Sequence, residues 1–172
     1  MLEPSKADGL QPSLIRVEIT ENAVYGRGHH SVIKLLNQIV QIGYRLALDD
    51  FGTGSGSLQL LASLPISEIK IDKSFVSGMS TDLKKSAIVG GLIATGLAMR
   101  IDVVAEGVET EEEANQLRAL GARFAQGYLW SKPLPMSQFV GFNQLFGSTA
   151  VRQREENGNQ SLNSPIGAAR RR

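Results

Sequence analysis

Glu18, Glu21, Asp49, Asp50, Lys70, Glu106 and Gln126 occupy matching places in the sequence: each stands at, or just past, the end of a short run that reads as a β-strand. Carboxylates gathered into one pocket repel one another and lose hydration unless a cation neutralises them. Oxygen ligands of this kind suit Mg²⁺, Mn²⁺ or Ca²⁺, and a pair of such ions would clamp a phosphodiester and make a water nucleophilic near neutral pH. If the residues converge, the chemistry is metal-assisted phosphodiester hydrolysis. Taken singly, several have plainer readings. Asp49 and Asp50 can cap or solvate a loop, and Lys70 in Glu-Ile-Lys-Ile-Asp can be a solvated residue on an edge strand. Glu106 is harder to dismiss, because it closes the apolar run Val-Val-Ala and precedes a glycine.

The elements that must position these residues alternate regularly. Strand-like runs at Ile15–Thr20, Arg45–Asp49, Glu68–Ile71, Asp102–Ala105 and Arg123–Gln126 are separated by helical periodicity at His29–Ile42, Leu58–Leu64 and Asp82–Met99. A further helix follows Thr110, where Thr110 and Glu113 have the spacing of a capping box, and Gly121 ends it. Ser137–Leu145 can form a closing helix. Five β/α units predict a parallel sheet covered by helices, either doubly wound or part of a β/α barrel. In a barrel, the carboxyl ends of all strands face one mouth, so residues far apart in sequence meet there.

Composition excludes several alternatives. The 172 residues carry 18 basic and 17 acidic side chains, so no global field argues for a nucleic-acid polymer or a membrane surface. Cysteine is absent, which removes disulfides and thiolate metal sites and fits a reducing, cytoplasmic compartment. The apolar stretch Ile88–Met99 is far shorter than the roughly 20 residues that span a bilayer. Gly52-x-Gly54-x-Gly56 does not match the dinucleotide fingerprint and reads as a flexible rim loop. His29, His30 and Trp130 are not assigned to chemistry. Residues 1–146 are expected to form the domain, and 147–172, poor in large apolar residues, a disordered tail.

Five strings in one order carry a resemblance: Glu18-Ile-Thr-Glu21, Leu48-Asp-Asp-Phe-Gly-Thr-Gly54, Ile69-Lys-Ile-Asp-Lys-Ser-Phe-Val76, Val104-Ala-Glu-Gly-Val-Glu-Thr110 and Gln126-Gly-Tyr-Leu-Trp-Ser-Lys-Pro-Leu-Pro135. Together they resemble the EAL family, whose (β/α)8 barrels hydrolyse cyclic di-GMP to linear pGpG with Mg²⁺ or Mn²⁺. The resemblance implies metal ligation by Glu18, Asp49 and Asp50, and anchoring of the loop after Asp50 by Glu21. It implies that Lys70 holds the nucleophilic water, that Glu106 is a water-mediated ligand or general base, and that Gln126 and Glu109 support the water network. Two departures stand out. Gly54-Ser-Gly-Ser57 replaces the family's aromatic followed by serines, and the tripeptide Glu-Ala-Leu does not occur. A complete barrel takes roughly 250 residues. The expectation is therefore five β/α units, corresponding to family strands 4 to 8, with two metal ligands missing. Such a partial (β/α)8 barrel is expected to be impaired in hydrolysis and to pair with the missing barrel half or with a second copy of itself. The alternative is a catalytically inactive module that binds cyclic di-GMP or a protein partner.

Overall fold

In the computed structural model, residues 10–24, 29–53, 58–139 and 141 are described. The expected tail 147–172, the core of the Gly54–Ser57 loop and most of the closing helix lie outside them. The chain divides into two units at residue 130. In the second, Gln138 and Phe139 N–H groups donate to Pro135 O, making one helical turn. The strands and helices that build the sheet all belong to the first unit.

A 3₁₀ turn (Pro12–Leu14) leads into β1 (Arg16–Thr20), α1 (Glu21–Val24) and α2 (His29–Ile42). Then follow β2 (Arg45–Phe51), α3 (Leu58–Ser63), β3 (Glu68–Ile71), α4 (Lys73–Val76) and α5 (Leu83–Met99). The series closes with β4 (Asp102–Ala105), α6 (Glu111–Ala119) and β5 (Phe124–Ala125). All four strand pairings are parallel, and the order is β1-β2-β3-β4-β5 without reversal. A doubly wound sheet reverses its order at a switch point, whereas a barrel adds each strand beside the last. The sheet is thus the wall of a partial β/α barrel.

The capping chemistry explains several boundaries. Thr110 accepts from the Glu113 N–H while the Glu113 carboxylate accepts from the Thr110 N–H, completing the capping box at α6. Asp82 accepts from the N–H groups of Lys84 and Lys85 at the start of α5. The far end of α5 closes on Arg100 in the left-handed region, φ 59°, where no glycine marks a stop. The sequence reading did not contain α1 or α4, and it placed a longer last strand than the two residues observed.

The two faces of the sheet differ. Leu46, Leu48, Ile69, Ile71, Val103 and Ala105 point outward into clusters with Leu36, Leu60 and Leu61 and with Val76, Val89, Ile93 and Leu117 from the helices. Burying one such aliphatic side chain contributes about 1.5–3 kcal/mol. The alternate residues, Arg16, Glu18, Ala47, Asp49, Glu68, Lys70 and Val104, face the other side. Parallel strands are usually apolar on both faces. A polar inner face therefore marks the surface where chemistry can sit.

The inner face has two levels. At the amino ends of the strands, Arg16 Nη1 meets Glu68 Oε2 at 2.8 Å, with Glu68 buried. Burial pushes the Glu68 carboxyl above its ordinary value, and the Arg16 guanidinium only partly offsets this. Two residues further along the same strands stand Glu18 and Lys70, at the mouth.

Candidate metal and phosphodiester site

Lys70 is the centre of the mouth. Its Nζ lies 2.8 Å from Glu106 Oε1, 3.0 Å from Asp49 Oδ1 and 3.1 Å from Glu18 Oε1. The side chain is only 10% exposed, and burial by itself would favour the neutral amine. Contacts with the Glu106, Asp49 and Glu18 carboxylates outweigh that cost and raise its pKa, so the ammonium is fixed as a cation. Glu106 Oε1 also accepts from Gln126 Nε2 at 2.7 Å, which ties β5 to β4 at the rim.

Asp49, Asp50 and Glu106 each offer a carboxylate oxygen, and these oxygens lie within 4.8 Å of one another. In a regular strand, adjacent side chains point to opposite faces, so Asp49 and Asp50 should diverge. They do not, because the β2–β3 register shifts between Leu48 and Phe51 and Asp50 adopts φ 52°. Leu48 and Phe51 both return to the outer core, leaving the two aspartates together on the inner side. The Thr53 N–H and hydroxyl both donate to Asp50 O, at 3.2 and 2.9 Å, holding the turn closed.

The remaining expected residues fall at different distances from this centre. Glu21, the first residue of α1, is buried and accepts at Oε1 from the Gly52 N–H, 3.0 Å away. Glu18 reaches Lys70 from the edge strand, with its side chain 48% exposed, and stands outside the close carboxylate trio. Glu109 is exposed, and its backbone N–H donates to Glu113 Oε2 at 3.0 Å. The structure thus joins Glu18, Asp49, Asp50, Lys70, Glu106 and Gln126 in one network and leaves the Glu109 carboxylate at its margin.

Three supporting features escaped the sequence reading. Glu68 and Arg16 lie two residues before Lys70 and Glu18, so strand periodicity alone places them on the same face. Glu113 reaches beyond its own helix to accept from the Gly78 N–H at 2.9 Å. Phe75 packs against Gly52. No sequence pattern announces the last two, because both contacts depend on how separate β/α units are placed.

The residues fit a divalent cation. The donors are all carboxylate oxygens, three carboxylates contact one ammonium with a fourth, Asp50, beside two of them, and Asp49 Oδ1 is buried without accepting a well-directed hydrogen bond. Lys70 Nζ lies 3.0 Å from that same oxygen, so the contact is Coulombic more than it is a saturated hydrogen bond. An oxygen with residual acceptor capacity in such a cluster is what a hard cation requires.

A five-stranded piece of β/α barrel whose strand ends gather carboxylates around one lysine defines the class of the domain. The family model described as the EAL domain matches residues 3–133, and the chain belongs to that family. The signaling protein YkoW of Bacillus subtilis is 40% identical over 133 residues, which cover 77% of this chain and 16% of that protein. The bifunctional diguanylate cyclase/cyclic di-GMP phosphodiesterase MucR of Pseudomonas aeruginosa is 38% identical over 131 residues, 76% of this chain and 19% of that protein. The structure of PaMucR phosphodiesterase in complex with c-di-GMP matches with a TM-score of 0.71 at 38% identity, covering 76% of this chain and 53% of that one. A manganese/cy-diGMP complex of BlrP1 from Klebsiella pneumoniae matches with a TM-score of 0.68 at 38% identity, covering 73% and 32%. The chain therefore spans less than a fifth of the curated relatives YkoW and MucR. Among the described residues, no helix is long and apolar enough to cross a membrane.

Proposed function

We propose that this domain binds cyclic di-GMP and hydrolyses it to linear pGpG with Mg²⁺ or Mn²⁺, in the cytoplasm. The observation that carries this reading is the meeting of Asp49, Asp50 and Glu106 within one cation's reach, with Lys70 bridging three carboxylates beside them. The relatives that bind c-di-GMP, one of them with manganese, support the choice of substrate and ion.

Asp49 and Asp50, with Glu18 beside them and Glu106 directly or through water, would hold the cation. When bound, it supplies charge that polarises the phosphodiester and lowers the pKa of a nearby water. The chain's own residues do the rest. Lys70, immobilised by its three carboxylate contacts, orients the attacking water and offsets negative charge on the phosphate. Glu106, aligned by Gln126, accepts the proton as water adds to phosphorus. The P–O3′ bond breaks, and the released oxygen takes a proton from solvent to give the linear dinucleotide. Glu21 acts one step back, holding the Gly52 amide so that the Asp50 turn keeps its shape.

The edge strand leaves Glu18 half open to water, which weakens its hold on a cation through screening. Slow turnover is the expected consequence. Incubation with cyclic di-GMP and Mn²⁺, followed by chromatography, tests the reading. It predicts pGpG from the wild type and none from Glu106→Gln or Asp49→Asn. Equal product from wild type and both variants, or no binding of cyclic di-GMP by calorimetry in the presence of Mn²⁺, overturns it.

A further inference from the structure

We propose that Phe75 is a positioning residue for the metal site, acting as a spacer through which α4 sets the place of the Asp50 turn relative to Glu106; the inference rests on the metal reading above. The short helix α4 touches both acidic loops. At Gly52, a methyl group would sit 2.7 Å from Cε2 and 3.1 Å from Cζ of the Phe75 ring, so the ring lies flush against the glycine backbone. At Gly107, the residue after Glu106, an added methyl would overlap Cβ of Lys73. Both glycines have positive φ, 100° and 69°, so both turns use a conformation and a closeness that other residues resist.

The consequence is mechanical. The Asp50 turn is an irregular one: it holds a non-glycine residue at φ 52° and a break in register. Such backbone persists only where its surroundings over-determine it. Glu21 pulls on the Gly52 amide from one direction, and the Phe75 ring blocks Gly52 from another. The hydrogen bond restrains the amide only along its N–H, whereas a packed ring removes the space on the glycine's other side into which the turn could relax.

Helix α4 is itself held at both ends. The Asp72 carboxylate accepts from the Ser74 N–H at 2.9 Å, and Gly78, two residues past the helix, donates to the buried Glu113 carboxylate. Behind it, Val76 and Met79 are fully buried in the outer core. Phe75 is partly buried and extends from this fixed base. Its ring therefore transmits the position of the core to the Asp50 turn.

The test separates positioning from general stability. Mn²⁺ affinity is measured by calorimetry for the wild type, Phe75→Ala, the milder Phe75→Leu, and Leu36→Ala, a truncation on the buried face of α2. Circular dichroism fixes a temperature at which each is folded. The expected result is a loss of Mn²⁺ affinity of about tenfold or more in Phe75→Ala, the scale on which supports behind metal ligands act. Phe75→Leu should lose less, and Leu36→Ala should bind as the wild type does although it melts earlier. Unchanged Mn²⁺ affinity in both Phe75 variants overturns the inference and leaves the metal reading standing. Loss that tracks melting temperature across all variants, Leu36→Ala included, reduces Phe75 to a packing residue and also overturns it. Failure of the wild type to bind Mn²⁺ overturns the metal reading and this inference with it.

Discussion

Replacing Glu113 with glutamine changes one atom and should remove much of what holds the rim side of β4 to α4. Glu113 is buried, and its carboxylate accepts from the N–H groups of Gly78, Glu109 and Thr110 at 2.9, 3.0 and 3.3 Å. Burial alone would raise its pKa, but these backbone bonds outweigh burial and hold it below its ordinary value near 4.5. Hydrogen bonds to a charged group contribute about 1.5–3 kcal/mol each. Glutamine keeps one oxygen, so it serves either Gly78 or the Glu109–Thr110 pair, and its NH₂ group faces the N–H left over. A loss of about 2–4 kcal/mol at pH 7 follows, or about 6–12 °C in melting temperature for a domain of this size. The sign of the pH effect is fixed by the lowered pKa. The carboxylate's contribution is complete above the unfolded-state value and is lost as pH falls through the lower folded-state value. Urea unfolding at pH 7 and pH 3 should therefore show a wide gap between wild type and Glu113→Gln that narrows in acid. A gap under about 0.5 kcal/mol at pH 7, or one of equal size at both pH values, would refute the assignment of that stability to the ionised carboxylate.

Arg16→Met removes the partner of the buried Glu68 and, with Arg16 itself part-exposed and screened by water, should cost about 1–3 kcal/mol at pH 7. Because the Glu68 pKa is already raised by burial, this variant should regain stability as pH falls from 7 toward the ordinary carboxyl value and the carboxyl protonates, which a series of thermal melts over that range would show. Gly96→Ala places a methyl group against Val103 Cγ2 and 3.0 Å from Ile101 O, and should lower stability by about 1–3 kcal/mol in urea titration. Asp50→Gly relieves a non-glycine residue at φ 52° and one carboxylate repulsion. It should leave the metal-free protein as stable or up to about 1 kcal/mol more stable, while Mn²⁺ affinity falls.

Residues at strand ends were legible in the sequence because a β/α unit announces itself locally. An apolar run marks the strand, and whatever polar residue follows it, Asp49 or Glu106 for example, must lie at the mouth. The choice between doubly wound sheet and barrel was not local; it required the strand order, and the resemblance carried it until the pairing β1-β2-β3-β4-β5 appeared. Glu68 was readable from its two-residue spacing to Lys70, yet a charge at the start of a strand looks like a solvated residue until its burial is known. The convergence of Asp49 with Asp50 was beyond sequence pattern, since simple alternation sends them apart and only the register shift beside β3 brings them together. Helix α4 is four residues long, too short for any periodicity to register, and Phe75 meets Gly52 across two separate β/α units.

The claim on which the rest depends is that Asp49, Asp50 and Glu106 hold a divalent cation. Crystals soaked in Mn²⁺ and measured at the manganese absorption edge test it directly. An anomalous peak is expected between those three carboxylates, with Lys70 still contacting Glu106. A peak bound elsewhere, or no peak between them at saturating Mn²⁺, would contradict it.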